Sequence, residues 1–264
     1  MRGVAAEAEM IELKTESQLE LMRRAGRVVA EILDVLHGSV RPGITTLKLD
    51  ELARQTMERL GAKAAFLGYR GYPASLCTSV NEAVVHGIPS QRVLREGDIV
   101  GLDVGSLVEG YYADAAVTVP VGAVSPAATR LMQVTEQALA DAIALARPGR
   151  RLSDISHAVQ RRAEAAGYSV VRDFVGHGIG TQLHEPPQIP NYGAPGYGPV
   201  LKPGMVLAIE PMINEGKPET RVLPDGWTAV TLDGRLSAHF EHTVAVTEGE
   251  PEILTECPRK SRSR

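Results

Sequence analysis

Two stretches of this sequence match each other at a fixed distance of 107 residues along the chain. Residues 94–103 read LREGDIVGLD and residues 201–210 read LKPGMVLAIE, so each has a turn glycine followed by an apolar run that ends in a carboxylate. Similar segments at a fixed offset are typical of a duplicated fold. Asp103 and Glu210 are therefore predicted to occupy equivalent positions in two related halves.

Helical segments follow the same repeat. An Arg-Pro-Gly tripeptide ends at Gly43 and another at Gly149, and each is followed eighteen residues later by a further glycine, Gly61 or Gly167. Because glycine commonly lies just past the last turn of a helix, each pair of glycines is predicted to bracket one helix.

One more helix is predicted ahead of each tripeptide. Ser17 and Glu20 form a capping-box signature for the first, which is expected to end at Gly38. Ser125 followed by Pro126 is a start signal for the second. Each half therefore contributes two helices.

A second pair of acids extends the repeat. Asp114 lies between two alanines and Glu241 lies between Phe240 and His242, and an apolar strand follows each acid. The pattern predicts an α+β fold in which two halves, related by a pseudo-twofold axis, build one sheet with helices outside it. The strands that end at Asp103 and Glu210 are expected to lie side by side near that axis.

Four carboxylates drawn together at the centre of such a fold would repel one another unless they bound cations. His177 lies in a GHGIG segment, where the flanking glycines leave its imidazole accessible. Carboxylates with an imidazole form a mixed nitrogen and oxygen site, which suits Mn, Fe, Co or Zn better than Ca²⁺. The sequence therefore predicts a metal-dependent enzyme.

Composition excludes several other classes of function. The 28 basic and 32 acidic residues are spread along the chain, so no basic face for DNA is apparent. No apolar run approaches the length of a membrane span, and the first fourteen residues lack the apolar core of a signal peptide. The two cysteines, Cys77 and Cys257, fit a reducing compartment, so a cytoplasmic location is expected.

Five segments in this order resemble the type I methionine aminopeptidases. These segments are GYPASLCTSVNEAVVHGIP (71–89), DVGSLVEGYYAD (103–114), GHGIGTQLHEPPQIPNY (176–192), GMVLAIEPMIN (204–214) and SAHFEHTVAV (237–246). The resemblance covers about residues 15–256. It implies the pita-bread fold of the creatinase and aminopeptidase family, with a central antiparallel-rich sheet and outer helices.

The resemblance also implies an active site with two divalent metal ions, whose identity (Co, Mn, Fe or Zn) it leaves open. The metal ligands it implies are Asp103, Asp114, His177, Glu210 and Glu241. In the implied reaction, a water or hydroxide that bridges the two ions attacks the scissile carbonyl and Glu210 shuttles its proton. His86 and His184 match two catalytic histidines that contact the substrate and stabilise the tetrahedral intermediate.

Methionine needs an apolar pocket with polarizable and aromatic walls. Four residues fall at positions that resemble this pocket in the family, namely Phe66, Tyr72, Cys77 and Trp227. Leu183 replaces a phenylalanine that many members carry, which leaves the shape of the pocket open. The remaining histidines are assigned no chemistry: His37 and His157 are expected to be structural, and His239 and His242 to flank the site without acting in it.

The predicted organisation is one catalytic domain over residues 15–256, with halves at about 15–124 and 125–256. Residues 1–14 are expected to form an N-terminal tail and residues 257–264 a basic C-terminal tail. The predicted substrates are the N-termini of nascent polypeptides with a small second residue, acted on by a cytoplasmic monomer. Contact with the ribosome is left open, and no DNA or membrane partner is expected.

Two alternatives remain. A proline-specific aminopeptidase or prolidase of the same fold would share the metal ligands, although such enzymes usually carry a large N-terminal domain. A non-catalytic binding protein could keep the fold without the chemistry, although all five ligand positions are intact here.

Overall fold

A computed structural model describes residues 11–256 of the chain, which form four helices and fifteen short strands. The helices are α1 (Glu16–Ser39), α2 (Thr46–Arg59), α3 (Pro126–Ile143) and α4 (Leu152–Ala165). The strands are β1 (Lys63–Ala64), β2 (Cys77–Val80), β3 (Ala83–Val85), β4 (Ile99–Val108), β5 (Tyr111–Pro120), β6 (Ser169–Val170), β7 (Gly176–Gly178), β8 (Glu185–Ile189), β9 (Val206–Ile209), β10 (Met212–Asn214), β11 (Thr220–Val222), β12 (Ala229–Thr231), β13 (Ser237–His239), β14 (Glu241–Ala245) and β15 (Glu252–Ile253). The expected C-terminal tail and most of the expected N-terminal tail lie outside the described residues.

The central sheet is antiparallel and contains nine strands. Its main path runs β1-β4-β5-β14-β9-β7-β8, with β2 paired to β4 and β15 paired to β14. Two three-stranded sheets, β13-β10-β6 and β11-β12-β3, complete the structure. The order β4-β5-β14-β9 is symmetric about its middle, as a pseudo-twofold axis requires, and the predicted α+β architecture with two related halves is confirmed.

The seam between the halves is the pairing of β5 with β14, not of β4 with β9. Glu241 lies opposite Ala116 in this pairing. The expectation that the strands of Asp103 and Glu210 are neighbours is therefore wrong. Each of those two strands pairs along one edge with its neighbour in the same half, β5 or β14. Along the other edge it pairs with a further strand of that half, β2 or β7.

At this seam, the hydroxyl groups of two threonines make hydrogen bonds to the backbone of the opposite half, in place of regular backbone-to-backbone bonds. The Thr243 hydroxyl donates to the Asp114 carbonyl (2.7 Å) and accepts from the Asp114 N–H (2.9 Å). The Thr118 hydroxyl bonds in the same way to the carbonyl (2.8 Å) and the N–H (2.9 Å) of His239. Because the two bridges lie symmetrically about the Glu241–Ala116 pair, each half fixes the backbone of a residue in the other.

Within the first half, β4 and β5 form a hairpin closed by Glu109 and Gly110. Both residues have positive φ, 50° and 87°, which is the conformation of a two-residue type I′ turn. The turn sets the register in which Gly105 lies opposite Asp114 and Asp103 opposite Ala116.

Two apolar cores support the two halves. In the first, α1 and α2 bury residues such as Leu36 and Met57 against Leu102 of β4. In the second, α3 and α4 bury residues such as Leu131 and Ile155 against β9 and β14. All four predicted helices are confirmed.

The cap of α1 differs from the prediction. The helix begins at Glu16, and its capping box is formed by Thr15 and Gln18 instead of Ser17 and Glu20. Both pairs have the required spacing, but the Lys14 N–H donates to the Gly204 carbonyl (2.7 Å) and ties the chain down just before Thr15. The backbone is thereby set to enter the helix two residues earlier.

Lys14 is also buried through its side chain. Its ammonium group lies 2.7 Å from carboxylate oxygens of both Glu12 and Glu185, and its side chain is 1% exposed. Glu185 in turn accepts a hydrogen bond from the Gln182 N–H (3.0 Å). The residues just before α1 therefore hold the loop that carries Leu183 and His184. Over the described range 11–256, no helix is long and apolar enough to cross a membrane.

Candidate metal centre and substrate cavity

Strand alternation brings the predicted carboxylates to one face of the sheet. On β4, Leu102 and Val104 pack into the helical core, so Asp103 between them points to the opposite face. On β5, Ala113 and Ala115 pack into the same core, and Asp114 between them points away from it.

The second half repeats this arrangement. Leu207 and Ile209 of β9 pack into the core, so Glu210, the next residue, continues the opposite face. Val244 of β14 packs into the same core, and Glu241, three residues earlier, lies on the face of the other acids. Two strands from each half thus carry four acids to the middle of one face.

His177 comes from β7, beside β9, and lies opposite Ala208. Its Nδ1 is 2.8 Å from the Gly178 carbonyl oxygen, which can only accept. Nδ1 therefore carries the proton and Nε2 has a free lone pair. Nε2 lies 3.6 Å from Glu210 Oε1, so the lone pair points into the group of carboxylates.

Burial raises the pKa values of all four carboxyl groups. Burial, and then the charge of Asp114, hold the pKa of Asp103 well above its usual range. Burial raises the pKa of Asp114 from 3.8 to about 7. Burial raises the pKa values of Glu210 and Glu241 as well, with further contributions from the neighbouring acids. Without a cation, this arrangement opposes ionisation.

Three oxygens of this cluster are buried without a hydrogen-bond partner among the described residues: Asp103 Oδ1, Asp114 Oδ1 and Glu241 Oε1. An unpartnered buried acceptor costs about 1–3 kcal/mol, so such atoms need a ligand. Atoms of Asp114, His177 and Glu241 lie within 4.8 Å of one another and could hold a metal ion. The donor set therefore fits divalent cations that accept both carboxylate and imidazole.

The site histidines favour the neutral form. Burial lowers the pKa of His177 to about 4 and that of His239 to about 3. Burial also lowers the pKa of His86, and it lowers that of His184 to about 3. Neutral imidazoles can donate or accept a single proton, which suits both ligation and hydrogen bonding to a substrate.

His86 and His184 reach the site from two different loops. His86 has a left-handed backbone (φ 60°), and its ring packs edge-to-face with Phe174, with centroids 5.5 Å apart. The His184 ring stacks on Tyr69, its Nδ1 is 2.8 Å from the Tyr69 hydroxyl, and its centroid is 4.1 Å from that of His177.

Aromatic rings build the wall next to the carboxylates. Tyr72 packs edge-to-face with Phe66 and with Trp227, at centroid distances of 6.5 and 5.1 Å. The Tyr72 hydroxyl donates to the carbonyls of Leu76 and Gly87, so its polar end is satisfied and the ring is held in place. Cys77 is buried and forms no disulfide within residues 11–256, and burial raises its pKa, so the thiol remains an uncharged part of the wall.

All eleven predicted site residues line one cavity of about 150 Å³. These residues are Phe66, Tyr72, Cys77, His86, Asp103, Asp114, His177, His184, Glu210, Trp227 and Glu241. Of the other histidines, His157 bonds to the Gly193 carbonyl away from this cavity.

Two residues of the cavity, Tyr69 and Arg70, were not predicted from the sequence. Tyr69 lies three residues before Tyr72 in the tight turn Tyr69–Gly71, so the repeated tyrosine was a signal for it. Arg70 has a left-handed backbone (φ 49°), which the sequence does not reveal because arginine rarely adopts it.

Comparison with known proteins decides the family. A model of metallopeptidase family M24 matches residues 20–248. The chain belongs to metallopeptidase family M24. Within this family it is 51% identical, over 93% of its length and 99% of the relative's, to methionine aminopeptidase 1 of Bacillus subtilis. It is 46% identical, over 92% and 94% of the two chains, to methionine aminopeptidase 1 of Mycobacterium tuberculosis.

Solved structures of M24 members agree. The crystal structure of methionine aminopeptidase from Thermotoga maritima matches with a TM-score of 0.92 and 50% identity, and the match covers 94% of this chain and all of that one. The resemblance to methionine aminopeptidases and the pita-bread fold are confirmed. A prolidase from Pyrococcus horikoshii matches with a TM-score of 0.76 and 20% identity, which shows a shared fold alone, and this chain spans 64% of its length.

Membership of M24 also implies divalent metal at the site, in agreement with the unpartnered carboxylate oxygens. The relatives that match over nearly their whole length are named methionine aminopeptidases, so the prolidase alternative is not favoured. The intact cluster likewise does not favour a non-catalytic binding protein.

Proposed function

We propose that this chain is a methionine aminopeptidase that removes the N-terminal methionine of nascent polypeptides whose second residue is small. One observation carries the proposal: a cluster of four carboxylates and a histidine, all of them buried or half-buried, shares a single cavity with an aromatic wall. The carboxylates and the histidine would hold divalent cations, to which a free α-amine can bind, and the wall accepts an unbranched apolar side chain. The two features together select an N-terminal methionine.

We assign the binding of two divalent ions, of Mn, Fe, Co or Zn, to five ligands: Asp103, Asp114, His177, Glu210 and Glu241. When bound, these ions supply Lewis acidity toward the scissile carbonyl and make water a competent nucleophile at neutral pH. Two of these ligands are held in place by hydrogen bonds. Thr243 bonds to the Asp114 backbone, and the Gly178 carbonyl accepts a hydrogen bond from the His177 ring.

Glu210 takes the role of proton shuttle. Its side chain is 13% exposed, so it is in reach of water at the edge of the cluster. A carboxylate whose pKa is raised by burial can accept a proton from the nucleophile and return it to the leaving amine.

His86 and His184 serve the peptide group. His184 is oriented by the Tyr69 hydroxyl, and donors aimed at the developing negative charge lower the barrier. His86 also lines the cavity and packs against Phe174 and Trp227, where it can contact the scissile amide. The stacked rings of His184 and Tyr69 both line the cavity, and we propose that they limit the size of the second residue of the substrate.

We further propose that the enzyme acts as a cytoplasmic monomer and meets its substrates as they leave the ribosome. Its cysteine content supports a reducing compartment, since the sequence contains only two.

Purified protein assayed with Met-Ala-Ser, Met-Leu-Ser and a Xaa-Pro dipeptide tests this function. With Mn²⁺, Co²⁺, Fe²⁺ or Zn²⁺ present, we expect methionine release from Met-Ala-Ser, at least about 10-fold less from Met-Leu-Ser, and none from the dipeptide, since a size mismatch costs about 1–3 kcal/mol. Cleavage before proline without methionine release would show that the enzyme is a prolidase instead.

A further inference from the structure

His239 is a buried side chain of the metal centre to which no role has been given. It ends β13, two residues before Glu241, and is 3% exposed. Its backbone is clamped on both sides by the Thr118 hydroxyl across the seam. Its position is therefore fixed by the junction of the two halves.

The imidazole lacks a partner where it meets the cluster. Among the described residues, Nε2 of His239 is buried and makes no hydrogen bond. It lies 3.6 Å from Glu210 Oε2. Since an N–H···O bond spans about 2.7–3.2 Å, a shift of about half an ångström would close this contact.

Glu210 thus lies between the imidazoles of His177 and His239, which differ in whether the nitrogen that faces Glu210 can carry a proton. His177 has its Nδ1 proton committed to the Gly178 carbonyl, so its Nε2, 3.6 Å from Oε1, offers a lone pair. Within the described part of the chain His239 makes no hydrogen bond at Nε2, so this atom can carry a proton. The first is suited to bind a cation and the second to donate to a carboxylate.

We propose that His239 is a positioning residue, whose Nε2–H donates a hydrogen bond to Glu210 Oε2 and holds that carboxylate in the orientation needed for metal binding and proton transfer. The proposal deepens the proposed function and rests on it for the role of Glu210. Hydrogen-bond donors behind a ligand carboxylate restrict its rotation and stabilise its charged form, and their loss costs about 10- to 100-fold in metal affinity or activity.

The test compares His239→Leu, which cannot donate, with His239→Gln, whose amide N–H can reach the same oxygen. Titration of each metal-free protein with Mn²⁺ in a calorimeter gives the affinity, and Met-Ala-Ser hydrolysis gives kcat and KM. We expect His239→Leu to bind Mn²⁺ about 10- to 100-fold more weakly and to have a lower kcat with KM nearly unchanged, and His239→Gln to remain within about threefold of the parent protein in both.

A matched control comes from the same strand region. His242 is a histidine one residue after Glu241, and its Nδ1 is bonded to the Thr255 hydroxyl (2.8 Å) beside a groove formed by α1 and α3. His242→Leu should lower the midpoint of urea unfolding and leave the Mn²⁺ affinity unchanged. By contrast, His239→Leu should not lower the unfolding midpoint of the metal-free protein, because it removes an unpartnered buried polar atom.

The proposal is overturned if His239→Leu binds Mn²⁺ and turns over like the parent protein, or if His239→Gln is as impaired as His239→Leu. It is also overturned if His239→Leu merely unfolds more easily with unchanged affinity, which is the behaviour of a structural residue. Should the leucine variant fail to fold, His239→Met takes its place. Because the calorimetric affinities need no peptide, they decide this proposal even if methionine release is not observed.

Discussion

Asp114→Asn should make the metal-free protein more stable at neutral pH while weakening its binding of metal. Burial raises the pKa of Asp114 from 3.8 to about 7. A carboxyl group whose folded-state pKa is raised contributes stability below its unfolded pKa and loses it as pH rises through the folded value. A pKa raised from 3.8 to about 7 corresponds to a penalty on the order of 4 kcal/mol at neutral pH, which asparagine avoids.

Urea unfolding of both proteins in the presence of a chelator, at several values between about pH 4 and pH 8, measures this difference. The site histidines impose the opposite pH dependence because burial lowers their pKa values, as for His177, but this effect is common to both proteins and cancels in the difference. The free-energy advantage of the asparagine variant should therefore grow with pH up to about 7. Added Mn²⁺ should reverse the order of stability.

Asp233→Asn is the matched control, because the change in stability that we expect from it has the opposite sign. The Lys217 N–H donates to Asp233 Oδ2 (2.8 Å), and this bond lowers the pKa of Asp233. At pH values above the usual pKa of an aspartate, Asp233→Asn should lower the free energy of unfolding, with or without Mn²⁺. An Asp114→Asn variant that behaves like this control would contradict the account of the cluster.

Glu210→Gln should fold like the parent protein and hydrolyse Met-Ala-Ser with a kcat lower by about 10²- to 10⁴-fold, the usual contribution of a general acid or base. Glutamine has nearly the same shape and retains one oxygen as a ligand, but it cannot accept a proton. Kinetics at saturating Mn²⁺ separate this effect from weaker metal binding.

Glu215→Gln is the control for this second variant, because it makes the same chemical change five residues further on, outside the residues that line the cavity. It should remain within about twofold of the parent protein, as is usual for changes away from a site. Full activity of Glu210→Gln would remove Glu210 from the proton pathway.

The internal repeat predicted much of the fold because equivalent segments of the two halves have the same backbone structure. Equivalent glycines marked the ends of α2 and α4, and the matched acids located the strands of the site. An offset between segments shows which residues are equivalent, but it does not show which equivalents are neighbours in space. That depends on which strand edges remain free after each half has paired internally, and so the β5–β14 seam was not predicted.

Parts of the site depend on tertiary contacts that leave no local pattern. The overlapping capping boxes at Ser17 and Thr15 could be distinguished only by the contact of Lys14 with Gly204. The threonine bridges of the seam join residues more than 120 positions apart. The unpartnered Nε2 of His239 likewise becomes visible only when Glu210 is seen beside it.

Removal and restoration of metal shows whether methionine release depends on ions held by the carboxylate cluster. Protein freed of metal with a chelator, and then titrated with Mn²⁺ or Co²⁺ while methionine release from Met-Ala-Ser is measured, should be inactive at first and should regain activity as up to two ions bind. Methionine release that is undiminished in the metal-free protein, or a cluster that binds no divalent ion, would contradict the account.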